Sequence, residues 1–175
     1  MDAEDFVGAF VYFQQTINRY YLLAGKLMSE TAAVGALFDS IIALDEGHPA
    51  NAYAALPPEI VDLTFGRKLD RVQAIAPTIL GADHESTLGL GEPARNVACL
   101  RNLVAHSNVT TGDSRDDTVT LQHSPWRAGY VRDVLPLKDL DEALEVTIDL
   151  VADALVVISH MPGSNLEPST RADYE

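Results

Sequence analysis

The chain has 175 residues, 26 acidic and 12 basic, for a formal net charge of −14, and 47% of its residues are hydrophobic. At roughly 100–200 residues per domain, this length fits one domain around one core, and the hydrophobic share excludes a wholly disordered chain. The charge excludes passive coating of a polyanion, because phosphate binding rests on Lys and Arg; the one cysteine, Cys99, excludes an intramolecular disulfide and a cysteine-rich zinc site.

The chain opens Met1-Asp2-Ala3-Glu4-Asp5, acidic where a secretory signal needs basic residues. No uncharged apolar run reaches the roughly 18–20 residues that span a bilayer. Both features point to a soluble, cytoplasmic chain with no membrane partner. From about Ala3 to Met28, Phe6, Phe10, Phe13, Ile17, Tyr20, Ala24 and Leu27 recur at spacings of four and three, the seam of a first long helix. Ser29 is placed to cap a second helix, whose stripe is Val34, Leu37, Phe38, Ile41, Ile42 and Leu44 and whose stop is Gly47. Residues 48–57 read as a loop. Pro58-Glu59 opens a third helix that runs to Pro77 through Ile60, Leu63, Leu69, Val72 and Ile75.

Gly81 to Gly91 has no helical period and reads as an exposed loop, after which a fourth helix spans Glu92 to about Ser107. Thr118–Gln122 and Gly129–Val134 alternate with strand period about Ser124-Pro125-Trp126, predicting a short β-hairpin. A last helix from Asp139 buries Leu140, Leu144, Ile148, Val151, Leu155 and Ile158, and Pro162 ends it. The expected fold is all-α: an up-and-down bundle of four to five helices with a β-hairpin inserted before the last one. Residues 1–162 form the single helical domain and residues 163–175 a flexible polar tail.

Chemistry concentrates on the fourth helix. At about 100° per residue, Val97, Leu100, Leu103 and Val104 share a core face, and Arg101 and His106 lie roughly 140° apart on the other side. Asn102 and His106, four residues apart, are neighbours on the helix surface. Ala94, Ala98 and Ala105 stand around them, so the helix is expected to offer a groove that another surface can approach closely. Arg101 and His106 have two readings, a catalytic or nucleic-acid contact and a surface ion pair or dimer contact.

Arg101-Asn102-Leu103-Val104-Ala105-His106 resembles the arginine, polar residue, then histidine signature of HEPN domains (higher eukaryotes and prokaryotes nucleotide-binding). The resemblance in sequence is confined to the fourth helix. In architecture it runs from about Asp5 to His160. It implies a homodimer that brings two motifs together at a shared cleft, and in many members a metal-independent endoribonuclease, including toxins paired with antitoxins and phage-defence effectors. It implies catalytic roles for Arg101, Asn102 and His106. Histidine titrates near neutrality, so His106 can move a proton at the ribose 2′-hydroxyl or the leaving oxygen. Arginine binds phosphate bidentately and stays charged, so Arg101 can hold the scissile group. Asn102 can orient either partner. Arg95 is a candidate substrate-binding residue, with a solvated arginine as the plainer reading. RNA and an antitoxin or other protein are the implied partners, and no cofactor or metal is called for. A tyrosine often sits two residues past the histidine in toxins neutralised by a nucleotidyltransferase, and here that position is Asn108. The alternative within the family is a non-catalytic module that binds a nucleotide, RNA or a protein.

Asp83-His84-Glu85 looks like a metal cluster, but adjacent residues rarely converge on one ion. Cys99 is expected to pack as a small residue. Trp126, beside Arg127 and Arg132, can stack a base or cover the end of the bundle. From Arg67 to Arg132 there are eight basic and seven acidic residues, a balance of +1, so the rest of the chain carries −15. The last helix holds Asp139, Asp141, Glu142, Glu145, Asp149 and Asp153, a solubilising face that can also dock a basic partner.

Overall fold

The structure is a computed structural model that describes residues 3–48, 56–113, 116–124 and 131–174. Helices α1 (Ala3–Asp45), α2 (Pro58–Val61), α3 (Phe65–Leu80), α4 (Glu85–Gly89) and α5 (Glu92–Ala105) come first. Strands β1 (Ser107–Asp113), β2 (Thr118–His123) and β3 (Val131–Pro136) follow, then α6 (Leu137–His160) and a 3-10 turn at Arg171–Asp173. The chain is therefore mostly helical with a small antiparallel sheet, a mixed fold and not the purely all-α one expected. It divides into two compact units, Met1–Ser29 with Cys99–Leu144 and Glu30–Ala98 with Glu145–Glu175.

In the first unit the expected hairpin is a three-stranded meander in the order β1-β2-β3. The extra strand was hidden because Asn108-Val109-Thr110-Thr111 has no clean alternation, and a register shift between Val109 and Thr111 marks a bulge there. Thr110 Oγ1 donates to the Thr120 carbonyl at 3.2 Å across that irregularity. Central strand β2 buries Val119 and Leu121 on one face while its other residues are partly exposed. Asp117, in the turn before β2, has φ +50°, a left-handed conformation that Asp tolerates better than most residues. Its carbonyl accepts from Leu137 N–H at 2.9 Å, and its carboxylate pairs with Arg19 on α1. Arg19 also reaches Asp141 at 2.6 Å.

The seam on the first part of α1 behaves as a heptad. An α-helix turns about 20° per heptad away from a strict seven-residue line. Phe13 is half-buried while Tyr20 and Leu27 are buried. The companion line rolls from outside to inside: Phe10 is 58% exposed, Ile17 is half-buried and Ala24 is buried. The side chain of Phe6 lies outside the described residues. α1 does not break at Ser29. The stretch Glu30-Thr31-Ala32-Ala33 has neither glycine nor proline, and Leu27, Thr31, Val34 and Phe38 continue one buried line.

In the second unit, Phe38, Ile41, Ile42, Ile60, Leu69, Leu90 and Leu150 form the fully buried core. The Phe38 and Phe65 rings meet at 5.5 Å, and the absent side chain of Gly35 leaves Phe65 Cδ2 within 3.6 Å of where a Cβ would stand. Lys68 Nζ bonds Asp39 Oδ2 at 2.7 Å in a nearly dry setting. The expected third helix is two pieces. Thr64, whose hydroxyl accepts from Arg67 N–H at 3.4 Å, restarts it as α3, which then runs past Pro77 to Leu80. The loop expected at Gly81 to Gly91 contains α4, capped by His84 Nδ1 accepting from Ser86 N–H at 3.2 Å. The polar tail makes specific contacts: Ser169 donates to Ser159 Oγ from its N–H at 3.1 Å and its hydroxyl at 2.9 Å.

By length and composition, one helix segment among the described residues, Phe10–Asp45, is apolar enough to cross a membrane, and 56% of its most apolar stretch is buried inside the protein. Trp126, Arg115 and Arg127 lie outside the described residues.

Candidate functional site

α5 begins at a fixed turn. Gln73 Nε2 donates to the carbonyls of Leu90 at 2.8 Å and Gly91 at 3.0 Å, holding the chain where the helix starts. Glu92 in the first turn complements the positive end of the helix dipole. At the other end, Ser107 Oγ donates to the Leu103 carbonyl at 2.5 Å, satisfying an acceptor the last turn leaves open. The first residue of β1 thus closes the helix that carries the motif.

Arg101, Asn102 and His106 occupy that end. Arg101 Nη1 donates to Asn102 Oδ1 at 3.0 Å, and His106 N–H donates to the Asn102 carbonyl at 3.1 Å. The first bond holds a side chain, while the second is the ordinary backbone bond of the last helical turn. Asn102 and His106 are exposed and Arg101 is half-exposed, so all three can meet a ligand from solvent. One amide oxygen of Asn102 holds the guanidinium on one edge, which leaves its remaining N–H groups for an anion.

Arg95 is placed differently. Its Nη2 bonds Asp70 Oδ1 at 3.0 Å and also Gln73 Oε1. The Arg95–Asp70 pair is more than half exposed on both sides, so water screens it and it contributes little to stability. A phosphate would have to displace Asp70 to use Arg95.

The alanine groove is corrected. Ala94 and Ala98 are buried with Val97 and Val104, and only Ala105 is exposed. Leu100 and Leu103, expected fully in the core, are half-buried. The small residues let α5 pack closely inside the protein and do not line an open channel. Cys99, expected to pack, is exposed.

A cavity of about 200 Å³ opens among Tyr12, Gln15, Thr16, Arg19 and Asp117, and none of the motif residues lines it. Its one cation, Arg19, is held by Asp117 and Asp141, so the cavity offers no unpaired charge for phosphate. Asp83-His84-Glu85 is likewise dispersed: His84 caps α4, while Glu85 lies 3.8 Å from Arg171. Among the described residues, no group of three or more His, Cys, Asp or Glu is arranged to hold a metal ion.

Sequence reasoning missed His123. Ser107, next to His106, is the β1 partner of His123 in the β1–β2 register. His123 Nε2 lies 2.5 Å from Asp133 Oδ2 on β3, a carboxylate placed to fix the ring and its tautomer. The available signal was the strand period that carries Asp133 and His123, but the pairing of β2 with β3 had to be known residue by residue.

No protein-family model, curated protein or solved structure matches this chain.

Proposed function

We propose that the chain is a HEPN-type endoribonuclease: a helical up-and-down bundle, dimeric and cytoplasmic, whose Arg101, Asn102 and His106 act with those of a second copy at a shared cleft. A toxin or defence effector neutralised by a protein partner fits this reading. One observation carries it, the accessibility of Arg101, Asn102 and His106 together at one helix end, with the Arg101 guanidinium held by the neutral Asn102 side chain. In the reaction, His106 takes the proton of the ribose 2′-hydroxyl as the 2′-oxygen bonds to phosphorus. The bond from phosphorus to the 5′-oxygen breaks, leaving a 2′,3′-cyclic phosphate, and a protonated histidine returns a proton to the 5′-oxygen. Arg101 holds the phosphate and offsets the charge that grows on it. The internal nucleophile makes the step specific to RNA, and its charge balance is met without a metal.

The test is cleavage of a panel of tRNA and mRNA by the purified chain in EDTA. Wild type is expected to cut, and His106→Ala to lose about 10²–10⁴-fold, the usual contribution of a general acid–base. Intact RNA with wild type, or equal cutting by His106→Ala, overturns the proposal. A second reading is a non-catalytic module that binds a nucleotide, RNA or a protein through these residues. Arg95 favours it, because Asp70 and Gln73 already hold the second arginine of α5. That reading gives binding without turnover in the same samples.

A further inference from the structure

The second unit holds a buried charge that its surroundings do not satisfy. Asp153 on α6 is fully buried, and neither of its carboxylate oxygens makes a hydrogen bond. Beside it the Ser86 hydroxyl on α4 is also fully buried and stands close enough to draw the carboxyl down, and the hydroxyl oxygen of the next residue, Thr87, is buried without a partner. Gly89 forms a wall: a Cβ there would stand 2.0 Å from Asp153 Oδ2, so only glycine leaves the carboxylate its room. A buried polar group without a partner is costly, and a buried carboxylate more so.

One cation faces this group. Arg171 of the C-terminal segment donates through Nη2 to Asp149 Oδ1 at 2.8 Å. Its Nη1 stays 3.7 Å from Asp153 Oδ1 and 3.8 Å from Glu85 Oε1, in ion-pair range but too long for hydrogen bonds. Burial pushes the Asp153 carboxyl up to about 6, against the opposing pull of Arg171 and the Ser86 hydroxyl and with Asp149 and Glu85 adding to the rise. Arg171 fills the site incompletely. A guanidinium seated deeper would close the 3.7 Å gap to Asp153 Oδ1 with a charge-assisted N–H bond, the kind that makes arginine a strong carboxylate partner.

We propose that Glu85, Asp149 and Asp153 form a receptor for an arginine side chain of a basic partner protein, with Arg171 occupying it in cis as a displaceable plug. The charge decides the class of partner. Glu145 and Asp149 are exposed on the same helix, and the chain as a whole carries −14, so this acidic face is complementary to a basic protein. The plug rides on a segment shaped internally by a capping box at Thr170 and Asp173 and joined to α6 by the Ser169–Ser159 contacts and by Arg171 itself.

The test uses the full chain and a peptide of residues 164–174 added in trans, followed by titration calorimetry at neutral pH. Arg171→Ala is expected to bind this peptide at least about ten-fold tighter than wild type does, a difference of about 1.4 kcal/mol. Peptides carrying Arg171→Ala or Arg171→Lys bind more weakly, because neither offers the planar fork. Adding Asp153→Asn to the Arg171→Ala chain abolishes the gain. Arg171→Gln is titrated alongside, so a folding defect of the alanine chain does not decide the result. Equal binding to wild type and both Arg171 variants, or equal binding of the arginine and alanine peptides, overturns the proposal.

Discussion

Asp153→Asn isolates the energetic effect of the buried carboxylate. The folded carboxyl sits at about 6 against an ordinary value of 3.8, raised first by burial. Between those values the folded chain binds a proton that the unfolded chain has released, so stability falls as pH rises through this window and is flat above it. The whole shift corresponds to about 3 kcal/mol at about 1.4 kcal/mol per unit, of which about 2 kcal/mol falls between about pH 4.5 and pH 7.5. Other carboxylates titrate in the same range, so the measured quantity is the difference between wild type and Asp153→Asn. Urea unfolding at a series of pH values should show the two stabilities diverging with rising pH, the variant gaining by about 2 kcal/mol over that interval. Parallel curves would mean that the carboxylate is solvated or satisfied and would refute both the burial argument and its sign.

The buried Lys68–Asp39 pair gives a second expectation. Lys68→Ala strands Asp39, whose Oδ1 already lacks a partner, and should cost about 3–5 kcal/mol, whereas Lys68→Met with Asp39→Leu should cost much less in the same urea titration. Gly89→Ala forces a methyl into the Asp153 carboxylate and should cost about 1–3 kcal/mol by thermal unfolding, with part of that recovered when Asp153→Ala is added. Phe38→Ala removes a fully buried ring that packs on Phe65 and should cost about 3–5 kcal/mol, with no change in binding of the 164–174 peptide.

The sequence carried the helices wherever apolar spacing was sustained, and it failed where partner choice mattered more than period. Ser29 illustrates both. It is placed as a helix cap, yet α1 passes through it, and the compact units change at that very residue. The composition change there signalled a new set of neighbours and not a break in the backbone. The drift of Phe10 out of the core has the same source: a seven-residue spacing cannot stay on one side of a straight α-helix with no partner wound around it. β1 was invisible because a bulge destroys the alternation by which a strand is recognised.

The site was legible to the extent that it is local. Arg101, Asn102 and His106 lie within six residues of one helix end, so helical geometry alone predicts their proximity, and Arg101 and Asn102 meet through their side chains. Arg95 shares that helix, but its partners Asp70 and Gln73 come from α3, and no spacing along α5 reveals them. The same reasoning alters the meaning of the net charge. Much of the acid proves to be structural: Asp39 holds Lys68, Glu46 holds Arg71, Asp70 holds Arg95, Asp117 and Asp141 hold Arg19, and Asp149 holds Arg171. These pairs occupy five of the twelve cations, Arg19, Lys68, Arg71, Arg95 and Arg171. Arg101 differs from these five, its hydrogen-bond partner Asn102 being a neutral amide that leaves its charge uncompensated. An arginine tied to a neutral asparagine, where Arg19, Arg71, Arg95 and Arg171 are tied to carboxylates, keeps a charge with which to recognise an anion.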